Sequence, residues 1–287
     1  MKKQTRYLIS LFCLLLLGSN AIAQFGNKKK ADIDKFKDSR LVVVLFSDST
    51  YNAAIRFAVE RYWNFNGAFL FAYDTALKAY SKGDYSFLVF SKAKGAKIKA
   101  KLCSAEPDFN GLLVLNKFKK RATELEILGK AYCSNSIDTF DWQSELIRGV
   151  QLLNNYFGVA AEAKGDKEMS ESFLQSRYPN DKGAMVGKKL LIEGSSLEVK
   201  GKVDAATLLD GEIEELENEE AIQKSIVGQD AAVIHYFYSN DEKNCNKLVV
   251  TSDGQLMYFK QESAGKCKCT ENDLKQLKKL KDKSQIE

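Results

Sequence analysis

The chain has 287 residues, 45% hydrophobic, 28% charged and 11% aromatic. That make-up can bury a core and excludes collagen, coiled-coil and disordered classes. A single histidine excludes His-cluster metal sites and two-imidazole mechanisms, two prolines against 18 glycines argue against proline-rich linkers, and a net charge of +5, which falls to a near-neutral +2 without the first 23 residues, gives no support for nucleic-acid binding.

Lys2, Lys3 and Arg6 precede an apolar run from Leu8 to Leu17 broken only by Ser10, and Ala21-Ile22-Ala23 follows with small residues two apart. This is the pattern of a signal peptide at 1–23, cleaved near Ala23/Gln24. The apolar run is about ten residues, against ~20 for a bilayer-spanning helix. No transmembrane segment is therefore expected in the mature chain. Cys13 lies inside the run and no Cys follows the cleavage position, so a lipid anchor is not expected either. Cleavage removes three bases and no acids, lowering +5 to +2. The expected location is periplasmic or secreted.

A polar N-terminal segment, 24–38, precedes a first α/β unit at 39–163. Leu41 to Phe46 is an unbroken apolar run, as in a strand covered on both faces. Ser47 to Thr50 supplies helix-capping side chains, and Ile55, Val59 and Tyr62 mark the helix that follows. Phe69 to Ala72 and Tyr85 to Phe90 read as strands around a short helix at Asp74 to Ser81. Gly111 to Leu115 and Leu125 to Leu128 read as later strands. Trp142, Leu146, Val150, Leu153 and Phe157 form the apolar stripe of a long helix over Asp141 to Ala161.

A polar stretch at 164–188 is the junction, and the pattern restarts in a second unit at 189–287. Leu190 to Glu193 is a short strand, followed by a charged helical region. Ala231 to Tyr238 is a strong strand. Lys247 to Thr251 and Leu256 to Phe259 form a hairpin across Ser252-Asp253-Gly254. Leu274, Leu277 and Leu280 mark a closing helix over Glu271 to Lys283. Segments 74–84 and 219–229 match locally, with Ala76 and Ala221, like Gly83 and Gly228, 145 residues apart. The expected fold is α/β, two related β-α-β-α-β units, each with a small mixed sheet, joined by the long helix. Two charge clusters, Lys92 to Lys101 and the seven acids from Asp210 to Glu220, read as solvated faces or loops.

Outside the cytoplasm cysteines tend to pair. The candidates are Cys103 with Cys133, and Cys245 with Cys267 or Cys269. His235 shares a strand face with Val233 and Phe237, the setting of a packed histidine. The alternative, zinc on His235, Cys245, Cys267 and Cys269, lacks the usual CxxC spacing, so no metal and no cofactor is expected. Thiol–disulfide chemistry has no CxxC motif to rest on. Phosphate-loop, GxGxxG and GxSxG signatures are absent, and no catalytic residue is assigned. Ligands of open parallel sheets sit beyond the carboxyl ends of strands, which makes Asp48, Ser49, Thr50, Ser195 and Ser196 candidate ligand-binding residues. Helix capping is the simpler role for these side chains. Tyr62 to Asn66 reads as core, with an aromatic binding platform as the alternative.

The signal segment, the helix end Ala58-Val59-Glu60-Arg61-Tyr62-Trp63-Asn64-Phe65-Asn66 and the hairpin Ser252-Asp253-Gly254-Gln255-Leu256-Met257-Tyr258 resemble exported proteins of Bacteroidota-type bacteria whose function is unknown. The resemblance implies an envelope location and carries over no catalytic residue. The expected function is that of a non-enzymatic envelope protein acting as an interaction or binding module for an envelope protein or small ligand. The alternatives are thiol–disulfide chemistry at Cys245, Cys267 and Cys269, or small-ligand binding at the loops after the lead strands.

Overall fold

The computed structural model describes residues 29–91, 111–117, 127–133, 141–166, 186–198, 212–240 and 244–283. The chain forms α1 (Lys30–Asp38), β1 (Arg40–Leu45), α2 (Ser49–Tyr62), β2 (Phe69–Tyr73), β3 (Tyr85–Ser91), β4 (Gly111–Leu115), β5 (Ile127–Tyr132) and α3 (Trp142–Glu162). It continues as β6 (Lys189–Glu193), β7 (Leu197–Glu198), β8 (Ile213–Leu216), α4 (Glu220–Gly228), β9 (Val233–Asn240), β10 (Asn244–Thr251), β11 (Leu256–Ser263), β12 (Cys269–Thr270) and α5 (Glu271–Lys283).

Two five-stranded mixed sheets result, ordered β2-β1-β3-β4-β5 and β8-β6-β9-β10-β11. In the first, β1 runs parallel to β2 and β3, and β4 is antiparallel to β3 and β5. In the second, β6 runs parallel to β8 and β9, and β10 is antiparallel to β9 and β11. Strand order and sense are therefore the same in both units, as an α/β chain of two related halves requires. The locally similar segments 74–84 and 219–229 occupy the same place, between the second and third strands of their sheets.

The core explains the central position of α3. Sheet faces alternate, so Val233 and Phe237 of β9 face the core that holds Leu146, Val150, Leu153 and Phe157 of α3. Ile234 and Tyr236 face the other way, against Leu274 and Leu277 of α5. Helix α3 is buried on nearly every side, from Ser144 to Ala160, because it is covered by elements of both units. Among the described residues, no helix is long and apolar enough to cross a membrane.

Three elements differ from the sequence reading. The segment 24–38 contains α1, which anchors itself with Ile33 and Phe36. Two apolar residues three apart are too sparse to register as a stripe. The short helix expected after β2 is present at Asp74–Tyr80, in 3-10 form. The fifth strand continues through Gly129 to Tyr132. A Cβ at Gly129 would lie 2.8 Å from the Phe157 ring, so a residue that reads as a breaker is where α3 approaches the sheet. The acidic run includes the strand β8, whose Ile213 and Leu216 are half-buried while Glu214 and Glu215 are exposed. The lysine cluster and most of the 164–188 junction lie outside the described residues.

Candidate functional site

The loop after β1 serves its own helix. The Asp48 carboxylate accepts from the Tyr51 N–H at 3.0 Å and caps α2. Asn52 closes the loop by accepting from Phe46 N–H at 3.0 Å and donating to Phe46 O at 2.7 Å. Ser49 and Thr50 are exposed. After β6, Gly194–Ser196 forms a 3-10 turn in which Ser196 is buried and Ser195 exposed. Open grooves lie elsewhere. One of about 760 Å³ sits where β6 and β9 begin, lined by Lys189, Glu214, Lys224, Ser225 and Asp230. Lys189 is paired with Glu214 at 3.1 Å, and Lys224 with Glu220 at 2.6 Å. Another, of about 610 Å³, lies at the start of β1. Both are at the amino ends of the lead strands, opposite the loops singled out by the sequence.

Between α3 and the second sheet runs a buried polar seam. Arg148 pairs with Glu145 one turn earlier, the two side chains 4% and 6% exposed. Its guanidinium stands 3.7 Å from the Phe237 ring centre. His235, on the same face of β9, bonds through Nε2 to Ser225 Oγ at 2.7 Å and Ser252 Oγ at 3.3 Å. Burial, with the Arg148 charge beside it, lowers its pKa to about 3, so the ring is neutral. Ser225 also donates to Ile222 O at 2.9 Å. With that proton engaged, imidazole donates to Ser225 and does not activate it, so the pair ties α4 to the sheet. His235 Nδ1 has no partner among the described residues. Gln151 donates to Gln229 at 2.7 Å, and Gln229 to Ser252 O at 3.0 Å.

The second polar cluster is one the sequence did not reveal. Thr270 and Asp273 form a reciprocal cap at the start of α5, the Thr270 N–H donating at 2.9 Å and the Asp273 N–H returning at 3.4 Å. Asp273 also accepts from Lys247 at 2.8 Å, Tyr258 at 2.7 Å and Lys260 at 3.0 Å. Burial would raise its pKa, but bonds from Lys247, the Thr270 N–H and Tyr258 outweigh this and hold the carboxyl well below the usual range. Glu262 pairs with both lysines, which makes a neutral set of two acids and two bases. The Thr-x-x-Asp spacing was readable, whereas the convergence of Lys247 and Lys260 depends on the hairpin register.

Three of the cysteines lie beside this cluster. Cys245 is joined to Cys267. Cys269 is a buried free thiol whose pKa is pushed up to about 12 by burial and the nearby Asp273 carboxylate. Cys133 is likewise a buried free thiol, raised by burial and by Glu145, and its expected partner Cys103 lies outside the described residues. The zinc alternative does not assemble, since His235 faces α3 while Cys269 lies in the core on the opposite face of the sheet.

Tyr62 to Asn66 divides as its burial dictates. Trp63 and Phe65 are in the core against Phe36 and Phe157, and Tyr62 stays half-buried at the surface. A partly exposed aromatic surface lies on the outer strand of the first sheet. Phe69 and Phe71 of β2 are half-buried, their ring centres 5.7 Å apart. Arg56 of α2 stands 4.3 Å over Phe71, and Tyr73 is 53% exposed. Among the described residues no strand pairs with the outer edge of β2.

Edge strands are ordinarily protected by charge, because a free ladder invites another strand. The outer strand β8 carries Glu214 and Glu215, β11 carries Lys260 and Glu262, and β5 turns Lys130 inward. Among the described outer strands of the two five-stranded sheets, only β2, Phe-Leu-Phe-Ala-Tyr, has no charge. Compared with protein-family models, curated proteins and solved structures, the chain matches none.

Proposed function

We propose that the chain is an exported envelope protein, periplasmic or secreted after cleavage near Ala23/Gln24, that acts by binding a protein partner along the outer edge of β2. The uncharged edge supports this reading above all. Among the described residues, the three other outer strands of the two five-stranded sheets each carry a charged residue, and β2, which occupies the same place as β8, carries aromatics instead. An unprotected edge offers main-chain hydrogen bonds to an added strand, and alternate side chains confer selectivity. The Cys245–Cys267 bond is compatible with export. The common strand order of the two sheets supports an origin by duplication, with one copy specialised at this edge.

The rival readings have less to rest on. A buried thiol with its pKa near 12 is a poor nucleophile at neutral pH, and the Asp48 carboxylate caps a helix.

The test is a photo-reactive residue installed in living cells at Tyr73 on β2 and, as a control, at Glu214 on β8. Covalent protein adducts at position 73 in excess of those at 214 are expected. Equal yields at the two positions, or none, would overturn the reading.

A further inference from the structure

We infer that the strand added to β2 is the β2 of a second copy of this chain, so that two five-stranded sheets join across a twofold axis at Phe71. The inference rests on the interaction reading above and names its partner.

A twofold contact presents the same surface to itself, so the strand must be self-complementary when read in both directions. Phe69-Leu70-Phe71-Ala72-Tyr73 meets that condition. Aromatic and aliphatic residues alternate, with an aromatic at the centre and at each end. Antiparallel pairing about Phe71 sets Phe69 against Tyr73, Leu70 against Ala72, and Phe71 against its own copy. Because side chains alternate along a strand, Phe69, Phe71 and Tyr73 share one face. The Phe69–Phe71 ring contact and the Arg56 guanidinium over Phe71 identify that face as the one under α2. Aromatic pairs across neighbouring strands are among the favourable cross-strand pairs.

The helix beside the edge suits the same partner. Besides Arg56, which stands over Phe71, the exposed face of α2 carries Glu60 and Arg61, together with Phe57, which is 38% exposed and packed edge-on against Tyr62. A twofold lays the two α2 helices side by side in opposite directions, so Glu60 of one copy can meet an arginine of the other. A uniformly acidic or basic partner would leave one sign unmatched. Pairing would also cover an outer edge that lacks a protective charge.

Sedimentation of the protein exported from the full 287-residue chain tests this, and a concentration-dependent dimer is expected. Tyr73→Lys places two lysines against the aromatic stripe at an exposed position, so the monomer keeps its circular dichroism and melting behaviour. Its dimer dissociation constant should rise at least about tenfold, whereas Glu215→Lys on β8 should leave it unchanged. A photo-reactive group at position 73 should join copy to copy. A monomer at every concentration, or a dimer unmoved by both Tyr73→Lys and Phe71→Lys, overturns the inference. If position 73 captures only a different protein, the self-pairing fails while the interaction reading stands. No adduct at all overturns both.

Discussion

Arg148 of α3 stacks on Phe237 of β9, its guanidinium 3.7 Å from the ring centre, while pairing with Glu145 on its own helix. The contact crosses from the helix that closes the first unit to the central strands of the second. A cation over an aromatic face gains most where water is excluded, and here both partners are buried. The seam therefore fixes the helix against the second sheet by geometry as well as by apolar area. Gln151, one turn further on, repeats the cross-link through Gln229.

Removing one member of a buried ion pair leaves the other charge inside the protein without its counterpart, at a cost of about 3–5 kcal/mol. Arg148→Ala should lower the unfolding free energy by that order in urea titrations. The double variant Glu145→Leu, Arg148→Met should recover much of the loss, because it removes both charges and keeps the volume. A double variant as unstable as Arg148→Ala would mean that the pair is not the principal term.

His235 gives the stability a predictable pH dependence. Its folded pKa, about 3, lies below the ordinary 6.5, so on acidification the unfolded chain takes up the proton first. The contribution is complete above pH 6.5 and is lost as pH falls from there toward 3. At about 1.4 kcal/mol per pKa unit the loss is at most about 5 kcal/mol. Asp273, held below its ordinary 3.8, adds a loss of the same sign at lower pH. Between pH 7 and 4.5 the urea midpoint of the native protein should fall more steeply than that of His235→Gln. Parallel curves would mean that His235 is not held neutral.

Much of the layout was legible because its residues satisfy one demand at a time. Val42, Val43 and Val44 form a strand buried on both faces, and the three-and-four spacing from Trp142 to Phe157 forms a helix. Elements serving two demands were harder to read. β8 protects an edge with Glu214 and Glu215 while pairing with β6, so its composition resembles a solvated helix. Asp273 looks like a surface acid in a Lys-rich helix, yet it is 1% exposed, since Lys247, Tyr258 and Lys260 reach it only after β10 and β11 have paired. The β2 edge was visible as a strand, but its outer position depends on sheet order, which no local pattern encodes.

The Cys245–Cys267 bond closes a loop with a separation of 22 residues and ties the start of β10 to the approach to α5. Restricting an unfolded loop of that length stabilises by about 3 kcal/mol. Reduction, or Cys245→Ser, should each lower the unfolding free energy by that order. Cys133 and Cys269 should resist alkylation at neutral pH until the protein is unfolded, since burial keeps both as neutral thiols. Rapid labelling of Cys269 in the native protein would show that the thiol is more accessible than its place in the core implies.

Gly254 tests how closely the second sheet meets α3. It lies in the turn between β10 and β11 at φ +78°, and its N–H donates to Thr251 O at 3.0 Å. A Cβ there would fall 2.3 Å from Gln151 Cβ and 3.0 Å from the Gln151 carbonyl carbon. Neither is the free end of a flexible side chain, so the turn or the helix has to shift. The left-handed backbone adds about 1 kcal/mol for any side chain, and the overlap about 1–3 kcal/mol more. Gly254→Ala should therefore cost about 3 kcal/mol in urea unfolding and weaken the bond from Asn155 Nδ2 to Asp253 O at 3.1 Å. Gly228→Ala, at the end of α4 with open space around it, should be neutral or stabilise by up to about 1 kcal/mol. Equal effects at the two positions would mean that the hairpin turn does not bear on α3, and that the shared apolar core and the seam through Arg148 and Gln151 join the units without it.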